Sequence, residues 1–415
     1  MKRHLIGIGG VGMSALATAL VRLGDEVTGA DRTLGTPNIS FLESLGVKVF
    51  PDDGSGIDAA TDEVIVSTAI EETNAGLVKA KKLGIPVTHR AKALSRTLKD
   101  YQLVAVVGTC GKSTVTAMLG HVLAECGFDP MCVNGANVPG WEGAVRFGKG
   151  GYAVAEVDES DKSLVAFKPY AAIVTNASAD HYSKEEMDEV FDAFIRDCEG
   201  PVIDGRKGLE GLGSLESLDV PIPGKHNLQN AQHAVRMAIA LGVEPEKAIA
   251  AMKTFRGVER RLQLITSQTF QTSKPPKPFV YDDYAHNPEK LKAMWTTLAE
   301  KHSEGLCVIW RPHGYAPLRK MMDALATMFA ETIRPQDKLL LLPVYDAGGT
   351  TDRSVNSDKL KAKVEGEVKE RIELVPDLDA AYGWCAAHRG EFAAFVTCGA
   401  RDPGLPILAK RLSEM

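Results

Sequence analysis

Between residues 104 and 114 the chain reads Val-Ala-Val-Val-Gly-Thr-Cys-Gly-Lys-Ser-Thr. Few stretches restrict a fold more. An apolar run of buried-strand type delivers the backbone into a glycine turn, and a helical pattern follows at once. Gly108, Thr109 and Gly111 let backbone N–H groups turn onto an oxyanion, and the helix start adds the positive end of its dipole. Lys112 supplies a mobile charge, Ser113 a hydroxyl for Mg²⁺, and Thr114 continues the helix start. Only two residues separate the two glycines, where the common form of this loop has four. An ordinary helix start would also accept Gly-Lys-Ser-Thr. The strand in front and the helix behind favour a nucleoside triphosphate site in an α/β sheet.

The first hundred residues carry a second glycine turn. A strand over 4–8, a helix over 13–23 and a strand over 26–30 alternate in the doubly wound manner. Gly7, Gly9 and Gly12 satisfy G-x-G-x-x-G, and Asp31 stands 19 residues beyond Gly12, where an acid reaches a ribose. Taken alone this reads as dinucleotide binding, and an NAD-dependent oxidoreductase is the rival it raises. That rival leaves the phosphate loop unexplained. A later strand is expected over 62–67 and a short helix around 77–83.

A second unit runs from the phosphate loop through strands at 152–156 and 171–175 and an acidic helix at 184–196. Gly224–Asn230 then leads into an alanine-rich helix over 231–241. A third unit opens with a hairpin, 262–266 against 279–281 around a polar tip at 268–278, and continues with strands at 306–310, 338–342 and 393–397. With roughly 150 residues per domain as a guide, 415 residues divide into three α/β domains. These are a Rossmann-like domain over 1–100, a central P-loop ATPase-type domain over 101–261 and a second Rossmann-like domain over 262–415. A net charge of −6 gives no footprint for nucleic acid or an anionic membrane. The four glycines between Gly7 and Gly12 argue against reading the start as a secretory signal. No apolar run approaches the ~20 residues of a membrane span. The seven cysteines form no C-x-x-C pair and read as reduced thiols of a cytoplasmic protein.

Polar clusters follow the expected strands, where open α/β sheets bind ligands. Glu156-Val-Asp158-Glu-Ser-Asp161 leaves the strand beside the phosphate loop, and Glu156 is placed to hold Mg²⁺ with Ser113. The alternative is a solvated acidic turn. Asn176-Ala-Ser-Ala-Asp180-His181 follows the next strand; His181 is a metal or substrate ligand there, or a plain surface histidine. In the third unit Asp282-Asp283-Tyr284-Ala-His286-Asn-Pro and Arg311-Pro-His313-Gly-Tyr315 occupy the corresponding ends. Arg260 and Arg261, at the domain junction, and His286 would swing in to meet the triphosphate and exclude water.

These segments, with Gly7–Ser14, Ser67-Thr68-Ala-Ile70, His226-Asn227 and Asn230, stand in an order that resembles the Mur ligases, ATP-dependent amide ligases of peptidoglycan assembly. The likeness runs along essentially the whole chain. It implies that Gly9, Gly10, Val11, Gly12, Met13, Ser14, Asp31, Ser67 and Thr68 serve a UDP-sugar instead of NAD. It further implies that His226, Asn227 and Asn230 lie by the adenine, that Arg260 or Arg261 touches phosphate, and that Glu156 and His181 are metal or substrate ligands. Asp283 and Tyr284 would lie near ribose and amino-acid substrate with His286 beside them, and Asp158 and His313 are assigned to substrate.

The expected reaction joins an amino acid to the carboxylate of a UDP-N-acetylmuramate-type substrate. ATP phosphorylates the carboxylate, an amine attacks the acyl phosphate, and phosphate leaves; Lys112, Mg²⁺ and Arg260 or Arg261 neutralise charge. His181 or His286 would assist deprotonation of the ammonium. Other outcomes are a peptide or different amino acid as amine, a different carboxylate substrate, or a non-catalytic nucleotide-binding protein on the same fold. The expected assembly is a monomer or homodimer. Several positions depart from the family pattern: Cys110 for histidine, Ser113 for threonine, Asn287 for the second histidine of Ala-His-His, and Gly314 for arginine. About forty residues separate His181 from Pro223, a shorter stretch than in relatives. Arg311 or Arg319 is expected to restore the charge missing at Gly314.

Overall fold

The computed structural model describes residues 1–158, 163–177, 184–208, 215, 218–265, 278–346 and 352–415. Three sheets organise them. In the first, strands β1 (Lys2–Ile6), β2 (Glu26–Asp31), β3 (Lys48–Pro51), β4 (Glu63–Val66) and β5 (Val87–His89) are parallel in the order 3-2-1-4-5. The order reverses at β1, so the crevice lies beyond Ile6. The strand expected over 4–8 lies two residues earlier in the structure: Gly7 takes φ +77° and its N–H donates to the Ala30 carbonyl at 2.8 Å, ending the strand in the turn. Helix Val11–Arg22 follows.

The second sheet holds β6 (Gln102–Val107), β7 (Met131–Val133), β8 (Val145–Arg146), β9 (Tyr152–Glu156), β10 (Ala171–Val174) and β11 (Val202–Asp204), in the order 11-10-6-9-7-8. Only β8 runs antiparallel. β6 is flanked by β10 and β9, again a reversal point, and its residues from Leu103 to Val107 are buried. Such a fully apolar strand is what a sheet covered on both faces demands. The two sheets share one compact unit. Leu16, Ala17 and Leu20 of the Val11–Arg22 helix belong to the same apolar cluster as Leu103, Met131 and Val145. An Arg22–Glu142 ion pair at 2.6 Å ties that helix to the turn before β8.

A second compact unit, chiefly Glu259–Met415, contains the third sheet. β12 (Gln263–Leu264), β13 (Phe279–Asp283), β14 (Leu306–Trp310), β15 (Lys338–Leu341), β16 (Ile372–Leu374) and β17 (Ala394–Cys398) lie in the order 12-13-17-14-15-16. The expected hairpin exists as the antiparallel pair Gln263–Asp282 and Leu264–Tyr281, while its tip lies outside the described residues. All other pairings are parallel.

One helix differs plainly from expectation. It spans Lys225–Ala240, not 231–241, because Asn227 and Asn230, three residues apart, are buried polar side chains on one face. They interrupt the apolar periodicity without interrupting the helix. All seven cysteines are free, and no helix among the described residues is long and apolar enough to cross a membrane.

Candidate functional site

The phosphate loop leaves β6 at Gly108 (φ +127°) and enters the Lys112–Glu125 helix at Gly111 (φ +87°). Both glycines are obligatory on two counts. Their φ values disfavour L-residues, and a Cβ at Gly108 would come 2.2 Å from Thr175 Oγ1, one at Gly111 2.5 Å from Asn230 Oδ1. The residues just past β10 hold the loop's shape. Asn176 Oδ1 accepts from Thr109 Oγ1 (2.6 Å) and from the Cys110 N–H (3.0 Å). Its Nδ2 and the Thr175 hydroxyl donate to the Cys110 carbonyl at 3.0 and 2.6 Å. Lys112 Nζ donates to the Gly108 carbonyl at 2.7 Å, folded back over the loop. Ser113 and Thr114 are buried at the helix start. Asn230 packs against the loop itself and donates to Asn227 at 3.4 Å; His226 stands exposed at the start of its helix.

In the same unit a cavity of about 480 Å³ opens at the reversal point of the first sheet. Its wall includes Gly10, Val11, Gly12, Met13, Asp31 and Ser67, and on the far side Glu156 and Asp158. The uncapped N-terminus of the Val11–Arg22 helix faces this turn, with Gly10 as its cap residue. Asp31 Oδ2 accepts from the Gly9 N–H at 2.9 Å and Oδ1 from Thr33 at 3.0 Å, so this acid braces the glycine turn. Three expected residues stand outside the wall: Gly9, whose N–H is held by Asp31, Ser14 and Thr68. Ser14 is buried in the helix with its hydroxyl on the Val11 carbonyl at 3.0 Å, and Thr68 is exposed beside Ser67. Glu156 pairs in register with Val106, two residues before Gly108, and accepts from the Gly135 N–H at 2.9 Å. A Cβ at Gly135 would sit 2.5 Å from that carboxylate.

Sequence reasoning missed several residues here. Arg90 lines the cavity with a guanidinium nitrogen 3.2 Å from the Cβ position of Gly12, and Asn38 donates to the Gly9 carbonyl at 2.9 Å. Neither belongs to a motif. Asn176 lay inside a segment read for its histidine. His181 and Asp180 fall outside the described residues, as does Asp161.

In the second unit, β13, β17 and β14 are adjacent and parallel, and their carboxyl ends carry the expected clusters. Asp282 is buried between Arg260 Nε (3.0 Å) and the Thr397 hydroxyl (2.7 Å). Burial pushes its carboxyl up to about 6 although Arg260 and Thr397 oppose the shift. Asp283 accepts from the N–H groups of Leu262 and Ala285 at 2.6 and 2.7 Å, so both its oxygens are engaged in shaping the turn. Arg260, at φ +58°, also donates to the carbonyls of Gly399 and Ala400. Arg261 lies with its guanidinium carbon 5.2 Å over the Tyr284 ring. His286 meets the His313 ring edge-on at 4.8 Å, and its Nδ1 donates to the Tyr284 carbonyl at 2.9 Å. Burial pulls His286 down to about 4, with the charges of Lys290 and Arg261 adding to the effect against the Tyr284 bond. Burial also pulls His313 to about 4, helped by Arg401 and Lys290. Both rings are therefore neutral near pH 7.

The two arginines expected to restore the charge missing at Gly314 are both ion-paired. Arg311 is paired with Asp402 at 2.6 Å and donates to the Pro343 carbonyl. Arg319 is paired with Asp352 at 2.7 Å.

Comparison with known proteins agrees with this arrangement. The model described as "Mur ligase family, catalytic domain" matches residues 2–102, and "Mur ligase, glutamate ligase domain" matches residues 260–401. The UDP-N-acetylmuramate--L-alanine ligase of Rubrobacter xylanophilus is 32% identical over 448 aligned residues, covering 97% of each chain. The chain belongs to the Mur ligase family. The same-named enzyme of Gloeobacter violaceus is 30% identical, with 98% of this chain and 95% of that one covered. The crystal structure of the UDP-N-acetylmuramate-alanine ligase from Thermotoga maritima superposes with a TM-score of 0.81 at 25% identity, over 100% of this chain and 98% of that one.

For a Mur ligase, the donor chemistry at the phosphate loop suits Mg²⁺. Ser113 and Glu156 are hard oxygen donors, and among the described residues no group of three or more His, Cys, Asp or Glu forms a cage. Mg²⁺ is commonly held by one or two protein oxygens together with substrate phosphates and water, without such a cage.

Proposed function

We propose that this chain is an ATP-dependent, ADP-forming ligase that joins an amino acid to the carboxylate of UDP-N-acetylmuramate or a close analogue through an acyl phosphate. One observation carries the reading. Glu156 and Asp158 leave the strand beside the phosphate-loop strand and enter the wall of the cavity built on the glycine turn. A nucleotide sugar seated on Gly10–Met13 thereby has its acyl end directed toward the phosphoryl-transfer residues.

In that reaction Lys112 leaves the Gly108 carbonyl to meet the transferring phosphoryl group, and the loop N–H groups hold the remaining phosphate oxygens. Ser113 and Glu156 would hold Mg²⁺, which supplies charge neutralisation across the phosphates. The helix N-terminus at Gly10 and Arg90 take the sugar diphosphate. Of the two junction arginines, Arg261 is the phosphate contact, since Arg260 is engaged with Asp282 and two carbonyls. His181, one of the two candidate histidines, lies outside the described residues, and we assign acceptance of a proton from the incoming ammonium to His286, whose ring is neutral near pH 7. Anions that fill the cluster offset Lys290 and Arg261 and so raise its affinity for that proton. Asp283 positions the turn that carries Tyr284 and His286. Residues 1–100, 101–261 and 262–415 are the three functional domains, and the protein works in the cytoplasm as a monomer or homodimer.

The test is coupled ADP release with product mass analysis. Release should be slow with ATP and Mg²⁺ alone and rapid only when UDP-N-acetylmuramate and an amino acid are both present. Full-rate phosphate release from ATP alone, with no amide product, refutes the reading.

A further inference from the structure

The carboxylates at the strand ends of the second unit are committed within it. Asp282 is held by Arg260 and Thr397, and Asp283 by two backbone N–H groups. Asp402 is held by Arg311 and the Gly404 N–H at 2.8 Å. The cations are not all committed in this way. Arg401 is exposed and makes no hydrogen bond or ion pair among the described residues, yet its backbone is fixed on both sides. Arg260 donates to the Ala400 carbonyl at 3.2 Å, and Asp402 is clamped by Arg311. A rigid backbone presenting an uncommitted guanidinium is preorganised to bind an anion.

Its position says which anion. β17 lies between β13 and β14, with Cys398 in register with both Asp283 and Trp310. Arg401, three residues past Cys398, therefore emerges between the segments that carry His286 and His313. After burial, the Arg401 charge is the first influence on His313, whereas Arg261 acts on His286 and Tyr284. Each imidazole of the pair thus has an arginine charge among its neighbours, Arg401 for His313 and Arg261 for His286. An α-amino acid placed at the pair needs a neutral acceptor for its ammonium protons and a cation for its carboxylate. Gly314 bears no side chain, Arg311 and Arg319 are paired with Asp402 and Asp352, Lys290 is already engaged and Arg261 is assigned to phosphate, so Arg401 is the cation left to meet the second need.

We infer that Arg401 grips the free carboxylate of the amine substrate and so selects an amino acid over a neutral amine. This rests on the ligase reading above. A guanidinium can meet a carboxylate through two parallel N–H bonds, a contact strong enough to dominate the affinity of a small ligand.

The experiment compares wild type, Arg401→Ala and Arg401→Lys using full-length protein, ATP and UDP-N-acetylmuramate. The amine is the amino acid turned over best from a panel that starts with L-alanine, alongside its carboxamide. Arg401→Ala should raise KM for the amino acid about 10- to 100-fold, leaving KM for ATP and for the nucleotide sugar within about twofold. Arg401→Lys should fall between. The carboxamide, poor with wild type, should show the same KM with all three proteins. An unchanged amino-acid KM overturns the inference, as does an equal loss for the carboxamide or a loss confined to ATP. If wild type makes no amide with any member of the panel, the ligase reading itself falls, and that outcome is distinct from the others.

Discussion

Asn176→Ala tests whether the phosphate loop is preformed by its neighbour. The Asn176 side chain makes three hydrogen bonds to Thr109 and Cys110. Each such bond is worth about 1 kcal/mol net. The Cys110 carbonyl keeps its bond from the Thr175 hydroxyl at 2.6 Å, so the loss is nearer about 2 kcal/mol than 3. If that energy holds the loop in its phosphate-binding shape, ATP must supply it on binding. At 1.4 kcal/mol per tenfold, ATP affinity should fall roughly 30-fold. A fluorescent ATP analogue titrated into both proteins measures this directly. Binding of UDP-N-acetylmuramate, proposed to occupy a cavity whose wall does not include Asn176, should be unchanged. Asn176→Asp should be worse than alanine for ATP, because it keeps the acceptor but places a carboxylate beside the phosphates. ATP affinity within about threefold of wild type, with the nucleotide-sugar control intact, would refute the reasoning.

Lys112→Ala should cut turnover by several powers of ten while the protein remains folded, since one charge aimed at a developing phosphoryl anion supplies a few kcal/mol; single-turnover amide formation is the readout. Gly135→Ala should push Glu156 off its N–H partner, the added Cβ falling 2.5 Å from the carboxylate, and a Mg²⁺ titration of activity should shift to higher concentration. Acid should lower the melting temperature as pH falls from 6.5 toward 4. His4, His233, His286, His302 and His313 are all drawn by burial from 6.5 to about 4, so the unfolded chain takes up protons that the folded one refuses. Asp282, raised to about 6, and Asp283, raised by burial, act with opposite sign, their contribution being lost as pH rises from 3.8 through their folded values; two groups against five leave the direction unchanged. A melting temperature flat between pH 6.5 and 4.5 would contradict this.

What was legible in the sequence was residue type at the end of a strand. Gly108–Ser113, Gly7–Gly12, Glu156 and His286 announce themselves because glycine turns and apolar strands have local signatures, and open sheets bind ligands at carboxyl ends. Whether a side chain is free or engaged is decided by residues distant in the chain, and no local pattern reports it. Asp31 looks like a ribose acid, yet it braces Gly9. Asp283 is named by its motif but is bound by the backbone of Leu262 and Ala285. Arg260 and Arg261 are indistinguishable as a dipeptide and both lie over the Tyr284 ring; only the fold shows that Arg260 is also anchored to Asp282 and to the Gly399 and Ala400 carbonyls. Arg311 and Arg319, the nearest cations to Gly314 in sequence, are neutralised by Asp402 and Asp352. Arg401, 87 positions away from Gly314, is not. Electrostatic balance at such a site is a property of three neighbouring strand ends taken together, so the charge a substrate meets is found by asking which ion pairs remain unmade after folding.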